Sequence, residues 1–299
     1  MAVYRKTYTR YEGGLTPEWS RFLVLARYTL EELRASRFFS LFFPACFLWP
    51  VMAALVIYVR YNMETLTFLN LKTDKLIVIG PQFFMNSMGF QSMLAFFLAA
   101  FVGPGLVAPD LANNGLSLFL ARPLSKTGYV LGRLVVLAGM LSMMTWIPGL
   151  LLYALQSYME GGSWWWDNLR IANGILIGSC LWILLISLLA LALSAWVKWK
   201  PIAGSLMFGV FFVAGGFAAV INEVMRTRWG NLLNVSHLMG SVWVSLYEVP
   251  MKRGQGGWFF RVAQGEEIPI WCCWLVLTAL CALCLYMLSR KIRGVEVVR

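Results

Sequence analysis

The chain has 299 residues, of which 60% are hydrophobic and 13% charged, and its mean hydropathy is +0.69. Soluble domains have about 45–50% apolar and about 25% charged residues, so this composition excludes an ordinary soluble fold. The formal net charge is +11. Because the basic residues are dispersed around apolar runs and do not form an aromatic-studded groove, no nucleic-acid partner is predicted.

Residues 1–37 form a largely polar segment before the first apolar run, and no cleavable signal is predicted there. Thr16, Pro17 and Glu18 have the pattern of a helix start, with a capping residue, a first-turn proline and an early acid. Apolar residues then recur at helical spacing from Trp19 to Leu33. We expect an amphipathic helix on the inner face of a membrane, acting either as an anchor or as a contact for a partner.

Six long charge-free stretches follow, and each can cover a hydrocarbon core of about 30 Å, which needs roughly 20 helical residues. Continuous apolar runs of this kind exclude a transmembrane β-barrel, whose strands alternate. The fold predicted for residues 38–299 is a single all-α membrane domain of six spans. The spans are placed at about residues 38–59, 83–106, 134–156, 171–197, 201–222 and 268–289.

Most of the 25 lysines and arginines fall in the segments on the same side as both termini. Basic residues in short loops stay on the cytoplasmic side, so the predicted topology has the N-terminus and the C-terminus inside.

Polar residues inside the spans are expensive in hydrocarbon and face other helices or a solvated path. Asn86 and Gln91 in the second span, with Ser142 and Thr145 in the third, are therefore candidates for lining a transport pathway. The alternative is that they form hydrogen bonds between helices. In the fourth span Gly174 and Gly178 form a close-packing motif that could also serve a dimer face.

The connector between the second and third spans is longer than a helix hairpin needs. Asp110 after Pro109 predicts a helix N-cap, Pro123 after Arg122 ends that helix, and Ser125 or Thr127 can cap the next one. We expect a short amphipathic helix at the cytoplasmic face, which is a surface for another protein to dock on.

The sequence GPGLVAPDLANNGLSLFLARPLSKTGYVLGR, residues 103–133, resembles the first cytoplasmic loop of the ABC-2 type permeases, the membrane subunits of ATP-driven exporters. Ala121 departs from the pattern, where Ser is common. The shared positions are Asp110, Asn114, Gly115, Phe119, Leu120, Arg122, Pro123, Tyr129, Gly132 and Arg133. The resemblance implies that this loop couples the spans to an ATPase through Asp110, Asn113, Asn114, Leu118, Phe119, Arg122, Pro123 and Lys126.

Between the fifth and sixth spans, an apolar stripe at helical spacing includes Leu238, Val242 and Leu246. A half-apolar helix beside a membrane either lies on it or re-enters it. In the family that the chain resembles, short helices before the last span form an outer gate, so these three residues are assigned to one. His237 is the only histidine and is expected to be a polar residue of a loop or of the membrane interface.

Several kinds of site have no pattern in the sequence. There is no phosphate-binding GxxxxGK[ST] loop, no charge near the centre of a span and no catalytic constellation. The six cysteines fall inside apolar runs, so neither a disulfide framework nor a metal site is predicted. We expect a chain that is not an enzyme and holds no cofactor.

The function that these patterns predict is the permease subunit of an ABC exporter in the bacterial inner membrane. A separate cytoplasmic ATPase would hold ATP and Mg²⁺, and a second permease copy or a paralogue would complete a dimer surrounded by membrane lipids. The alternatives are an ATP-independent channel or carrier, and a membrane scaffold or enzyme subunit. An ATPase that co-purifies with the chain would separate the first hypothesis from the other two.

Overall fold

A computed structural model describes residues 17, 20–62, 78–113, 125–197, 199–249, 260 and 268–292. Nearly all of these residues are helical, and no strand occurs among them. Six helices are long and apolar enough to cross a membrane, which indicates a multi-pass membrane protein. Within the described residues, the prediction of an all-helical fold with six such helices is confirmed. We number them as spans: Arg37–Tyr61, Pro81–Ala112, Lys126–Glu160, Leu169–Trp196, Lys200–Met225 and Ile270–Lys291.

Four of the six spans are interrupted or extended by local changes of helix. Span 1 consists of Arg37–Ala45 and Leu48–Tyr61, span 2 of Pro81–Val102 and Pro104–Ala112, and span 3 of Lys126–Met144 and Trp146–Glu160. A short helix, Trp164–Asp167, precedes span 4. Span 5 contains Lys200–Phe208, a π-helical turn at Gly209–Val213, and Ala214–Met225.

Prolines explain the interruptions of spans 1 and 3, because a proline has no backbone N–H to donate to the carbonyl four residues earlier. In span 1, Pro50 leaves the Cys46 carbonyl without its helical donor, and the helix breaks at Cys46–Phe47. In span 3, Pro148 does the same to Met144, and the break falls at Thr145.

Spans 4 and 2 form the centre of the bundle. Their most apolar 18-residue windows are 72% and 67% buried, whereas those of spans 1 and 5 are each 17% buried. The central helices therefore meet protein on most sides, and spans 1 and 5 present long apolar faces outward.

Two further helices complete the described chain. The N-terminal helix, Arg21–Arg34, packs on the beginning of span 3. The other follows span 5 and a short 3₁₀ segment, Trp229–Leu233, and covers Val235–Tyr247. It packs against spans 4, 6 and 2, so we call it the inserted helix.

The contacts between span ends define two ends of the bundle. The end that holds the N-terminal helix also holds the end of span 2, the start of span 3 and the junction of spans 4 and 5; we call it the N-side. At the opposite side, the Tyr61 hydroxyl of span 1 donates to the Glu160 carboxylate of span 3, and Arg170 of span 4 pairs with Glu248.

Candidate functional site

On the N-side, a serine from span 4 enters the helical hydrogen-bond ladder of span 2. Ser194 Oγ accepts a hydrogen bond from the Ala108 N–H at 2.9 Å and donates one to the Pro104 carbonyl at 3.0 Å. In an undisturbed helix, that N–H would donate to that carbonyl directly. The inserted hydroxyl opens the last turns of span 2 and fixes them to span 4.

Two residues after Ala108, Asp110 forms a poorly solvated ion pair with Arg133 of span 3. Its Oδ2 accepts from Arg133 Nη2 at 2.5 Å and from the Tyr129 hydroxyl at 2.6 Å. The side chains of Arg133 and Asp110 are 8% and 18% exposed. Charges that are so poorly solvated stay together only with good geometry and additional hydrogen bonds. The Tyr129 hydroxyl supplies one such bond, whereas Arg133 Nε is buried without a partner among the described residues.

The N-terminal helix joins the same cluster. Arg133 Nη1 donates to Thr29 Oγ1 at 2.7 Å, and the Thr29 hydroxyl donates to the Leu25 carbonyl at 2.8 Å. About two turns before Thr29, the backbone of the N-terminal helix approaches Gly132 closely. A Cβ on Gly132 would lie 3.0 Å from the Phe22 carbonyl oxygen. Three separate elements therefore meet at Arg133. We call Thr29, Asp110, Tyr129 and Arg133 the N-side joint.

The structure corrects one expectation at this place and confirms another. The prediction that Asp110 is a helix N-cap is wrong, because it lies in the last turn of Pro104–Ala112. The break at Gly103, about two turns earlier, decides where that helix starts. Ser125 does cap span 3, since its Oγ accepts from the Gly128 N–H at 3.0 Å.

Only part of the predicted coupling loop falls within the described residues. Asp110 and Asn113 lie at the end of span 2, and Lys126 is the first residue of span 3 with its side chain exposed. The remaining predicted residues lie outside the described ones: Asn114, Leu118, Phe119, Arg122 and Pro123.

The four candidate pathway residues do not form one group. Gln91 is 3% exposed, and its Nε2 donates at 3.1 Å to the Cys46 carbonyl, the group that Pro50 leaves without a helical donor. Thr145 is also buried, and its hydroxyl donates to the Leu141 carbonyl. Asn86 is exposed and accepts from Gln82, while Ser142 is half-buried. The contacts of Gln91 therefore favour a role in an interhelical hydrogen bond over a role in lining a transport pathway.

The predicted gate residues belong to the inserted helix. Leu238 and Val242 are fully buried, and Leu246 is half-buried with its Cδ1 near Gly178. The predicted apolar stripe thus faces the bundle core.

The glycine pair of span 4 receives the inserted helix. A Cβ on Gly178 would lie 2.7 Å from Trp243 Nε1, and one on Gly174 would lie 3.1 Å from the Tyr247 ring. Burial raises the pKa of Tyr247, so its phenol remains neutral. The close-packing motif is therefore used within the chain, where the sequence had also suggested a dimer face.

His237 is 3% exposed and helical, so the expectation of a loop residue is wrong, while its position at a membrane interface stays a prediction. It lies in the first turn of the inserted helix, whose N-cap is Asn234: Asn234 Oδ1 accepts from the His237 N–H at 3.1 Å. Its Nε2 lies 3.4 Å from Asn231 Nδ2. A buried network of amides thus surrounds the only histidine.

The sequence patterns missed Thr29 and Ser194. Nothing distinguishes a functional Thr or Ser from the many others that bond to their own helix backbone. Gly132 and Arg133 were identified, because they are part of the resemblance.

Comparison with known proteins adds no relative: neither a protein-family model nor a curated protein matches this chain. The resemblance of residues 103–133 to ABC-2 permeases therefore depends on those residues and on their arrangement.

Proposed function

We propose that this chain is the permease subunit of an ABC exporter, which moves its substrate across the bacterial inner membrane while a separate ATPase hydrolyses ATP. The observation that carries the proposal is the N-side joint. Asp110 precedes the loop at residues 114–124 and Arg133 follows it, so the buried ion pair clamps both flanks of the segment that resembles a coupling loop.

Force applied to that loop would reach several elements at once. Through Asp110 and Ser194 it acts on spans 2 and 4, through Arg133 on span 3, and through Thr29 on the N-terminal helix. Packed elements joined by short hydrogen bonds move as a unit, which alternating access between two rigid arrangements requires. A plain connector between two helices would not need such a cluster.

The two peripheral spans support a second permease copy or a paralogue. Spans 1 and 5 leave most of their apolar faces uncovered, including Leu55, Tyr58, Phe217 and Val224. One six-span chain would contribute half of a pathway. Lipid would cover the apolar surface of spans 1 and 5 that the second copy leaves exposed.

Charge reversal in the loop tests the coupling role. We expect Arg122→Glu to leave expression and membrane insertion nearly intact but to weaken ATPase association, or to leave hydrolysis running without transport, because it introduces repulsion at a docking surface. Lys200→Glu, on the same side of the bundle but outside the loop, is the matched control. Assembly, hydrolysis and transport are measured together in vesicles. Unchanged values of all three for Arg122→Glu would contradict the proposal.

Labelling of single engineered cysteines tests the proposed orientation. A membrane-impermeant reagent added outside cells should reach a cysteine at position 161 and should not reach one at position 114. Reaction at position 114 from outside would place the loop away from any cytoplasmic ATPase. Hydrolysis of ATP by the purified chain alone would favour an enzyme and contradict the permease assignment.

A further inference from the structure

A polar cavity of about 700 Å³ lies beside span 5 on the opposite side, where the chain turns back into the bundle. One wall is a stripe of span 5 containing Gly215, Ala219 and Asn222; the other wall is the 3₁₀ segment and the first turn of the inserted helix. Polar residues are costly beside apolar spans, so a cavity lined by so many of them calls for an explanation.

The inner wall of the cavity is held by hydrogen bonds between neutral groups. Asn222 Oδ1 accepts from the Gly230 N–H at 2.8 Å, and Asn222 Nδ2 donates to Asn231 Oδ1 at 2.8 Å. Gly230 is required there, since a Cβ would lie 2.5 Å from Asn222 Oδ1. These bonds use both ends of the Asn222 amide, so this residue holds the wall together and is not free to bind a ligand.

The remaining cavity residues offer mainly hydrogen-bond donors. Arg226 and Arg228 line the cavity with exposed side chains, and neither forms an ion pair with any residue that the structure describes. Asn234 uses its Oδ1 as the helix cap, which leaves its Nδ2 as a donor. The single carboxylate of the lining is Glu223. The N-terminus of the 13-residue inserted helix adds partial positive charge at the same place.

The backbone at the mouth of the cavity is unusual. Arg226 ends span 5 with φ +48°, in the left-handed region that glycine or asparagine normally occupies at a helix C-terminus. A non-glycine residue in this conformation is strained, and such residues are concentrated at binding sites. Here the strained residue carries one of the two guanidinium groups.

We infer that this cavity binds a phosphate-type oxyanion, with Arg226, Arg228 and Asn234 Nδ2 as its donors. Guanidinium groups match the geometry of phosphate oxygens and bind them through paired N–H donors. The oxyanion is either the headgroup of an acidic amphiphile or a free phosphate. That the transported substrate itself carries this group rests on the permease function proposed above; the binding does not.

The test uses the purified full-length chain in phosphatidylcholine nanodiscs and isothermal titration calorimetry. The probes are dihexanoylphosphatidic acid, inorganic phosphate and, as a ligand without a phosphate monoester, dihexanoylphosphatidylcholine. We expect saturable binding of one or both of the first two probes and none of the third. Tighter binding of the phosphatidic acid identifies a lipid headgroup, and equal or tighter binding of inorganic phosphate identifies a free anion.

Two variants connect the binding to the cavity. Arg226→Gln with Arg228→Gln removes both cations, and we expect the affinity to fall by about tenfold or more, as for the loss of hydrogen bonds to a charged group. Asn234→Asp keeps an oxygen for the helix cap but replaces the free donor by a negative charge, so it should reduce binding similarly without lowering thermal stability. Arg170→Gln, on the same side but paired with Glu248, is the control and should bind normally.

Absence of binding by both phosphate probes overturns the inference, as does unchanged affinity in Asn234→Asp. The proposed function is separable from this result. If the probes bind as expected but no ATPase associates with the chain, the inferred binding site is supported and the permease assignment is contradicted. If the ATPase couples normally and the probes do not bind, only the cavity assignment fails.

Discussion

The two ends of the bundle place polar groups inside apolar surroundings in different ways. On the N-side, Arg133 and Asp110 are charged and paired, with side chains that are 8% and 18% exposed. On the opposite side, the inserted helix packs aromatic rings on glycines and has an amide beside His237, and the ion pair at its end, Arg170 with Glu248, is exposed. Two of the cations there, Arg226 and Arg228, line a cavity with exposed side chains.

We propose that this difference separates a joint from a binding site. A buried ion pair has strict geometry, and removal of one partner leaves a charge that nothing solvates, so the elements it connects keep one arrangement. Amide networks hold a wall at a lower electrostatic cost and leave nearby charges available. We therefore associate the N-side with transmission of movement and the opposite side with recognition. Each comparison below tests one part of that distinction.

The largest effect is expected at the N-side joint. Arg133→Met should lower the free energy of unfolding by about 3–5 kcal/mol, because it leaves the Asp110 carboxylate buried without its cation. Thermal unfolding of the purified protein in detergent, followed by tryptophan fluorescence, measures it. The double variant Asp110→Leu with Arg133→Met should be more stable than Arg133→Met alone. A loss below about 1 kcal/mol in the single variant would show that the pair is solvated.

The next effect concerns the contact between span 4 and the inserted helix. Gly178→Ala places a methyl group 2.7 Å from Trp243 Nε1, so we expect a destabilisation of about 1–3 kcal/mol from overpacking. Gly139→Ala is the matched control, since that glycine is also helical but has no atom within 4 Å of the added Cβ. The control should be neutral or slightly stabilising. Equal unfolding temperatures for the two variants would mean that the inserted helix is not seated on this glycine.

A smaller effect is expected where Gln91 compensates for a proline. Gln91→Leu removes the donor to the Cys46 carbonyl, at a cost of about 0.6–1.7 kcal/mol for a hydrogen bond between membrane helices. Pro50→Ala supplies a backbone N–H for the same carbonyl. In that background Gln91→Leu should cost measurably less. If the two costs are additive in a double-mutant cycle, the Gln91 amide does not act through this carbonyl.

The smallest effect is expected at an exposed ion pair on the N-side. Arg27 Nε lies 3.1 Å from Glu31 Oε1, but the side chains are 81% and 53% exposed. Water screens such a pair, so Arg27→Gln should change stability by less than about 0.5 kcal/mol, with less effect still at high salt. A change as large as that of Arg133→Met would indicate that Arg27 has another partner.

Much of the fold could be predicted from the sequence, and the reasons are local. Charge-free stretches of more than 18 residues have few alternatives to spanning helices, and Pro50 and Pro148 each remove a donor from the helical hydrogen-bond ladder. The apolar stripe of Leu238 and Val242 also follows from spacing alone. The pattern could not tell whether that stripe faces lipid or protein, because both are apolar.

The candidate sites divide in the same way. Asp110, Tyr129 and Arg133 were identified by a resemblance that depends only on the order of residues. Their contacts with Thr29 and Ser194 depend on how spans 3 and 4 and the N-terminal helix pack. The spacing of residues in the sequence does not indicate that packing. Asp110 is the clearest case, since its local pattern predicts an N-cap while the helix that starts at Pro104 has it in the last turn.

By itself, the sequence determined that this protein is helical and that six of its helices are long and apolar enough to cross a membrane. These properties follow from hydropathy and backbone chemistry, which act over a few turns. Only the tertiary structure decided that the glycines of span 4 receive Trp243 and Tyr247, that His237 is buried, and that Asp110 faces Arg133. These outcomes depend on which helix faces lie against each other, and in an apolar environment that choice is made by shape and by the few polar groups that must find partners.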